Sequence, residues 1–260
     1  MDIPAQVADV CDHFLRIAPA GLVEGLHLHG GLAFGEWVPG QSDIDFVAVL
    51  SHRPTDAEVE LLRETHEAMA SYSPIHFDGM HVLAGDLAGD PRACPDVPTI
   101  LGGYFSEGVL DPVIAWHELA RSGITVHGPP LADLAVWTSP DVLRDHTLDN
   151  LDTYWRANAE ALAKMPSEGA AEDACCWCVL GVARLHHLLV TGEMTSKSAA
   201  GRWGLEHYPE RWHRVLRDAV RVREGGADEY GDDRAARGLD TAAFTASVVT
   251  EATGRPISRR

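Results

Sequence analysis

The spacing of apolar residues predicts helices and strands in the first part of the chain. Residues 4–17 carry apolar side chains at helical spacing, which predicts an amphipathic helix. Short apolar runs predict three strands, over residues 22–28, 44–50 and 75–83. Between the last two of these strands, Thr55 and Glu58 have the spacing of a capping box, which predicts a helix over residues 56–72. This order predicts a small mixed sheet with flanking helices.

The next region has more turn residues before the pattern resumes. Three prolines between residues 91 and 98 predict a loop, and we expect a short strand or hairpin over 104–109. Asp111 followed by Pro112 predicts a capped helix that ends near residue 121. A last short strand is expected over 124–126.

Only helical patterns follow residue 139. They predict five helices, over residues 139–164, 172–190, 196–206, 209–223 and 241–252. The change of pattern predicts two domains, residues 1–135 and residues 136–260. We therefore expect an α+β chain in which a mixed sheet with helices is followed by an all-α helical bundle.

The net charge of the chain narrows the classes of molecule that the protein is expected to bind. The chain has 260 residues and a formal net charge of −18, without the basic stripe that a nucleic-acid binder needs. The acidic balance either attracts small cations or only keeps the protein soluble. No apolar run approaches the roughly 20 residues of a membrane-spanning helix, and the N-terminus lacks the pattern of a secretory leader. We expect a cytoplasmic monomer that binds neither nucleic acid nor membrane.

The cysteines do not predict a disulfide framework, because there are five of them at irregular spacing. Three lie close together, at Cys175, Cys176 and Cys178, within an apolar helical pattern. We expect them to pack in the core as small apolar residues rather than to bind metal. We likewise expect four histidines to have structural roles rather than to bind metal: His27, His29, His186 and His187.

The strongest chemical signal is a double-glycine turn followed by two aspartates. Gly30-Gly31 ends one predicted strand, and Ser42-Asp43-Ile44-Asp45 begins the next. Alternation along a strand places both carboxylates on one face, where they repel each other unless a cation binds between them. Mg²⁺ satisfies such oxygens and also binds phosphates, and the glycine turn exposes backbone amides to those phosphates. The alternative is a turn that merely caps a strand.

A third carboxylate, Asp78, lies on the following predicted strand. It is a candidate ligand for a metal ion and a candidate base that takes the proton of an attacking hydroxyl. The candidate metal ligands are therefore Asp43, Asp45 and Asp78.

These motifs resemble the aminoglycoside adenylyltransferases that modify streptomycin and spectinomycin. In that family a Gly-Ser turn is followed by S-D-I-D, and this chain has Gly30-Gly31 and then Ser42-Asp43-Ile44-Asp45. The second half resembles the C-terminal domain of the same family. The residues that carry this second resemblance are Arg184, Thr191-Gly192-Glu193-Met194, Ser196-Lys197, Ala199-Ala200, Trp203, Leu205-Glu206 and Pro209.

The resemblance implies a nucleotidyltransferase fold and an adenylyl transfer that confers antibiotic resistance. Asp43 and Asp45 would hold Mg²⁺, and Asp78 would stand where the family has a catalytic base, usually Glu. Arg184 and Lys197 would reach the phosphates of ATP, because phosphoryl chemistry needs positive charge there. Gly30, Gly31 and Ser42 would complete the nucleotide site, whose co-substrate is ATP.

The chain departs from the family pattern at three positions. Gly31 replaces the usual Ser, Asp78 is one methylene shorter than Glu, and Ala174 stands where the family has a substrate-binding acid. A second group of residues is expected to contact the small cationic, hydroxylated substrate: Tyr104, Glu172 and Asp173.

These departures keep three hypotheses open. The first is AMP transfer to a hydroxyl of an aminoglycoside or aminocyclitol. The second keeps the reaction but changes the acceptor to another small hydroxylated metabolite or a protein side chain. The third is a nucleotide-binding module with weakened catalysis, which Gly31 would explain.

Overall fold

The computed structural model describes residues 3–108 and 111–257. It divides the chain into two compact units, of which the first ends at Ser139 and the second begins at Pro140. The first unit contains the strands, and the second contains only helices among its described residues.

The N-terminal unit is built on a six-stranded mixed sheet. Its strands are β1 (Val23–Leu28), β2 (Ile44–Leu50), β3 (Phe77–Leu83), β4 (Val97–Leu101), β5 (Tyr104–Gly108) and β6 (Ile124–His127). Their order is β5-β4-β3-β2-β1-β6. β2 and β3 pair in parallel, and the other neighbours pair antiparallel. The mixed sheet predicted from the sequence is confirmed.

Among its described residues, the unit has five α-helices beside the sheet, and two of them are single turns. They are α1 (Ala5–Ile17), α2 (Gly30–Ala33), α3 (Asp56–Tyr72), α4 (Ala84–Leu87) and α5 (Pro112–Ser122). The predicted capping box is present at α3, where the Glu58 carboxylate accepts from the backbone N–H of Thr55 at 2.8 Å. Asp111 caps α5 by accepting from the N–H of Ile114, with Pro112 in the first turn.

Alternation along β2 divides the core of this unit between the two faces of the sheet. Ile44 and Phe46 belong to a buried cluster that includes Phe14 of α1. Val47 and Val49 belong to another, which includes Trp116 of α5. The odd-numbered positions of β2 therefore face α5, and Asp45 is one of them.

The C-terminal unit has six α-helices among its described residues. They are α6 (Pro140–Asn150), α7 (Arg156–Lys164), α8 (Glu172–Thr191), α9 (Lys197–His207), α10 (His213–Glu224) and α11 (Arg234–Thr253). A π-helical turn, Leu151–Trp155, joins α6 to α7. One large apolar cluster forms the core of the unit.

The central helix α8 revises one expectation from the sequence. It is long and apolar enough to cross a membrane by length and composition. More than half of its most apolar stretch is buried, and it packs against α9, α10 and α11. A core helix of a soluble protein has these same properties. Its cysteines Cys175, Cys176 and Cys178 are buried and form no disulfide among the described residues, as expected of core residues.

Two segments differ from the expectation. The loop expected from the prolines contains β4, in which Pro98 pairs in register with Glu107 of β5 and its carbonyl accepts from His81 Nδ1 at 2.9 Å. The last helix begins at Arg234 rather than near residue 241, with Asp233 as its cap. Of the hairpin strand expected over 104–109, residue 109 lies outside the described part of the chain.

Candidate active site

Asp45 and Asp78 lie opposite each other on two parallel strands. The register of β2 and β3 pairs Ile44 with Phe77 and Asp45 with Asp78. Paired residues of adjacent strands project from the same face, so the two carboxylates are cross-strand neighbours. Sheet pairing alone thus brings together two residues that are 33 positions apart in the sequence.

Asp43, one residue before β2, adds a third carboxylate to this group. It is exposed, whereas Ile44 beside it is fully buried. The pKa of Asp45 is raised to about 6, chiefly by burial; the charge of His29 opposes this rise, and the charges of Glu118, Asp43 and Asp78 contribute to it. Negative charge is therefore concentrated around Asp45.

The turn before these strands lies directly against Asp45. Gly30 has a φ of +62°, which disfavours any residue with a side chain. A Cβ on Gly30 would stand 1.9 Å from Oδ2 of Asp45. The glycine is thus required both by its backbone conformation and by the carboxylate beside it.

The Gly30 amide has a partner within the protein. Its N–H donates to Oε2 of Glu118 on α5 at 3.0 Å, and Nδ1 of His29 donates to the same oxygen at 2.8 Å. The buried Glu118 carboxylate therefore binds the Gly30 amide, and the phosphate contact expected of Gly30 stays a prediction.

The contact between His29 and Glu118 also affects the pKa of the imidazole. Burial lowers the pKa of His29, but the hydrogen bond to Glu118 and the charges of Glu118 and Asp45 outweigh it and raise that pKa above its ordinary value. Glu118 was not anticipated from the sequence, because it lies 89 residues from His29 on a helix. His29, which was expected to be structural, borders the candidate site.

The neighbouring Gly31 has a structural explanation. A Cβ there would stand 2.7 Å from the backbone carbonyl oxygen of Glu36. The Gly31 carbonyl also accepts from the N–H groups of Phe34 and Glu36. The turn after α2 is therefore folded tightly onto Gly31, and this conformation leaves no space for the family's usual Ser.

Asp78 is buried and tied to the hairpin that joins β4 to β5. Both of its carboxylate oxygens accept from the Gly102 N–H at 3.0 Å. Burial raises its pKa, and Asp43 adds to this effect, while the hydrogen bonds from Gly102 and Gly103 oppose it. The net upward shift suits a carboxylate that takes up a proton.

Tyr104 follows the same hairpin turn. It begins β5 and is 82% exposed, and it pairs in register with Leu101, which is 58% exposed. The turn that contacts Asp78 through a backbone amide therefore also presents two large apolar side chains to solvent. This placement agrees with the substrate contact expected of Tyr104.

Ser42 serves the loop that precedes β2. Its hydroxyl accepts from the Val38 N–H at 3.0 Å, and its own N–H donates to the Val38 carbonyl. The hydroxyl retains a proton to donate, so the expected nucleotide contact stays a prediction.

The donor set fits Mg²⁺. All of its groups are carboxylate oxygens, which this ion prefers, and a cation would relieve the charge concentrated at Asp45. The oxygens of Asp43, Asp45 and Asp78 do not all come within 4.8 Å of one another. Since Mg²⁺ in proteins commonly uses one or two carboxylates together with phosphate and water, Asp43 and Asp45 suffice as ligands. The two roles expected of Asp78, as a third ligand and as a base, both stay predictions.

The basic residues expected at the nucleotide lie in the C-terminal unit. Arg184 is on α8 and half-buried, and within residues 3–108 and 111–257 it has no acidic partner. Lys197 is the first residue of α9, whose N-cap Ser196 accepts from the Ala199 N–H at 3.2 Å.

The two acids expected at the substrate differ in their surroundings. Glu172 contacts Arg221 at 3.0 Å and Arg237 at 3.6 Å, so both guanidinium groups compete with any cationic ligand. Asp173 is exposed, and no hydrogen bond or ion pair to its side chain is found in the described part of the chain. Asp173 is therefore the better candidate for a cationic substrate.

The fold has a clear structural relative. The crystal structure of spectinomycin adenyltransferase AAD(9) from Enterococcus faecialis with ATP and spectinomycin is similar to this chain, with a TM-score of 0.67 at 18% sequence identity. The likeness covers 93% of this chain and 98% of that one. It confirms the predicted fold class, a mixed sheet with helices followed by a helical unit.

The C-terminal unit matches a known family model. Residues 150–247 match the family model described as the C-terminal domain of aminoglycoside adenylyltransferase. A comparison with curated proteins gave no significant match. For the C-terminal unit, this match confirms the resemblance to the aminoglycoside adenylyltransferases that was found in the sequence.

Proposed function

We propose that this enzyme transfers AMP from ATP to a hydroxyl of an aminoglycoside or aminocyclitol such as spectinomycin or streptomycin. The main observation that supports this proposal is the pair of in-register carboxylates, Asp45 and Asp78, beside a turn that only glycine can form. The family assignment of residues 150–247 and the solved relative with ATP and spectinomycin support the choice of substrates. Consumption of ATP supports the expected cytoplasmic location.

Each carboxylate has a separate task in this proposal. Asp43 and Asp45 would hold Mg²⁺, which when bound neutralises phosphate charge and helps the α-phosphate to be attacked. Asp78 takes the proton of the acceptor hydroxyl, and its raised pKa supports this role. Glu118 fixes His29 and the Gly30 amide, and so holds the turn against Asp45.

The remaining groups orient the two substrates. Arg184 and Lys197 supply positive charge for the triphosphate, where negative charge develops on the leaving pyrophosphate. Tyr104 offers an exposed ring to the acceptor, and Asp173 an exposed carboxylate to its ammonium groups. The acidic balance of the whole chain also favours a polycationic acceptor.

The direct test is release of pyrophosphate from ATP and Mg²⁺ in the presence of spectinomycin or streptomycin. We expect turnover by the wild type and a rate at least about 100-fold lower in Asp45→Asn. Asp12→Asn, on the exposed side of α1, is the matched control and should retain full activity. Equal rates in wild type and Asp45→Asn would contradict the assignment of Asp45.

A second candidate keeps the reaction and changes the acceptor. Ala174 replaces the family's substrate acid, and Glu172 beside it is paired with two arginines, so the acidic surface for an aminocyclitol is reduced. If neither antibiotic is modified, incubation with ATP and a panel of hydroxylated metabolites should yield a product heavier by one adenylyl group. Adenylylation of a protein side chain would give the same mass increase on that protein.

The third hypothesis, nucleotide binding with weakened catalysis, rested on Gly31. The tight turn around Gly31 gives that residue a structural reason of its own. ATP binding in calorimetry without turnover on any acceptor would support this hypothesis instead.

A further inference from the structure

Three helices of the C-terminal unit bring together two histidines and a glutamate. His186 lies on α8, His207 is the last residue of α9, and Glu251 lies in the last turn of α11. One ligand atom from each lies within 4.8 Å of the others. His186 is 5% exposed, whereas His207 and Glu251 are exposed, so the cluster is open to solvent on one side.

The two histidine rings are held in place by aromatic neighbours. Nδ1 of His186 lies 2.8 Å from the hydroxyl of Tyr208. When Nδ1–H donates to that hydroxyl, the lone pair remains on Nε2, which is the arrangement found at metal-binding histidines. His207 stacks on Trp203 with ring centroids 4.2 Å apart. The cluster therefore has fixed rings and a hydrogen-bonded outer partner, as a metal site requires.

The chemistry of the donors selects the ion. Two imidazoles and one carboxylate suit Zn²⁺ or a similar first-row ion, whereas Mg²⁺ prefers oxygen ligands only. We propose that His186, His207 and Glu251 bind one divalent transition-metal ion, with a coordination position left for water. Because zinc–ligand distances are about 2 Å, binding draws the three donor atoms closer together.

The ion links three helices that are otherwise joined by packing. α9, which carries His207 at its end, also carries Lys197 at its beginning. Metal binding therefore stabilises the C-terminal unit and fixes the helix from which Lys197 extends. The proposed metal site uses none of the carboxylates assigned to the reaction, Asp43, Asp45 and Asp78.

The test uses untagged full-length protein stripped of metal with a chelator. Zn²⁺ is titrated in the presence of millimolar Mg²⁺, which occupies the carboxylate site, and Co²⁺ serves as a spectroscopic probe. We expect one Zn²⁺ per chain, an increase in Tm on binding, and a visible Co²⁺ band typical of nitrogen ligands. His207→Ala should weaken Zn²⁺ binding on the order of 100-fold or more, since removal of outer partners alone costs up to that much.

Glu251→Gln and His187→Ala complete the comparison. Glu251→Gln removes an exposed ligand with little change of shape and should also weaken binding, with the same Tm as wild type when metal is absent. His187 lies beside His186 on α8, but its ring contacts the Glu193 carbonyl and the Thr191 hydroxyl instead. His187→Ala should therefore bind Zn²⁺ like wild type. Absence of Zn²⁺ binding by the wild type, or equal binding by wild type, His207→Ala and Glu251→Gln, would overturn the proposal.

Discussion

Gly30 illustrates how one missing side chain positions a candidate catalytic group. Its amide is fixed by Glu118, and the space where its Cβ would stand is filled by the Asp45 carboxylate. The tight turn was predictable from the double glycine, since glycine is the residue that tolerates positive φ. The identity of its neighbour was not predictable, because the contact depends on how β1 and β2 pair.

We predict that Gly30→Ala displaces Asp45 and lowers the rate of pyrophosphate release by about 100-fold or more, since a misplacement of about 1 Å can have that effect. Gly40→Ala is the control, because Gly40 has a similar φ of +77° but no atom within 4 Å of its Cβ position. Gly40→Ala should therefore lose some stability and keep its activity. A similar loss of activity in both variants would show that backbone strain alone is responsible.

A second prediction concerns the departure at Gly31. Restoring the family's serine by Gly31→Ser should not strengthen ATP binding and should destabilise the fold by about 1–3 kcal/mol, because its Cβ meets the Glu36 carbonyl oxygen. Gly31→Ala separates the effect of the Cβ from that of the hydroxyl. Calorimetry and thermal unfolding measure the two effects, and tighter ATP binding by Gly31→Ser would refute the structural explanation.

Elements with local signals were predicted well from the sequence. The capping box of α3 and the Asp111-Pro112 start of α5 act over three or four residues, so their signals are contained in short segments. β4 was missed because Pro98 argues against a strand, and the pairing of Pro98 with Glu107 and the bond of its carbonyl to His81 both depend on the fold. The start of α11 was missed because Gly238 weakens the helical pattern, although a Cβ there would stand 2.3 Å from the Pro166 carbonyl oxygen.

The candidate site was predictable to a similar extent. Asp43, Asp45 and Asp78 were found because aspartates at strand starts follow a pattern along the chain. Glu118 has no such pattern, since it is one acid on a helix and its role comes only from proximity to His29 and Gly30.

The first turn of α8 gives a prediction at the scale of an element. The carboxylates of Glu172 and Asp173 both interact favourably with the positive end of the helix dipole, so neutralising either one removes a similar interaction. Glu172→Gln should additionally lose its contacts to Arg221 and Arg237, lowering stability by up to about 1 kcal/mol because the side chain is half-exposed. Asp173→Asn should raise the KM for a cationic acceptor several-fold with a smaller change in Tm. The opposite pattern would assign the substrate contact to Glu172.

The stability of the whole N-terminal unit should depend on pH through two buried histidines. Nδ1 of His81 donates to the Pro98 carbonyl, so Nε2 of His81 accepts from Nε2–H of His66 at 3.3 Å. Burial lowers the pKa of His66 to about 2, aided by His81, and burial lowers the pKa of His81 to about 4 despite its bond to Pro98. Both rings are therefore neutral in the folded protein.

The lowered pKa values of His66 and His81 determine how the stability of the unit changes with pH. The unfolded histidines bind protons below about pH 6.5, while the folded ones do so only near pH 4 and below, so stability decreases as the pH falls from 6.5. At pH 5 the loss is about 2 kcal/mol for each histidine. Thermal unfolding between pH 7 and 5 should show it.

His66→Gln tests this assignment, because its amide still donates to His81 but does not titrate. We expect a smaller decrease of Tm from pH 7 to pH 5 in His66→Gln than in wild type. His127→Gln, at an exposed position of β6, should keep the wild-type dependence. Equal pH profiles for all three proteins would exclude the buried pair as the source.

The in-register pairing of Asp45 with Asp78 restricts how this enzyme can change during evolution. A shift of β3 by one residue would turn Asp78 to the opposite face, and a shift by two would move it by about 6.6 Å. Neither gives a gradual adjustment of the distance between the two carboxylates. Mutation can adjust that distance in small steps only by exchanging Asp for Glu at position 78. Because of the parallel pairing, the reach of the candidate base can change only by the length of one methylene group. We expect adaptation to new acceptors to occur instead in the hairpin that carries Tyr104.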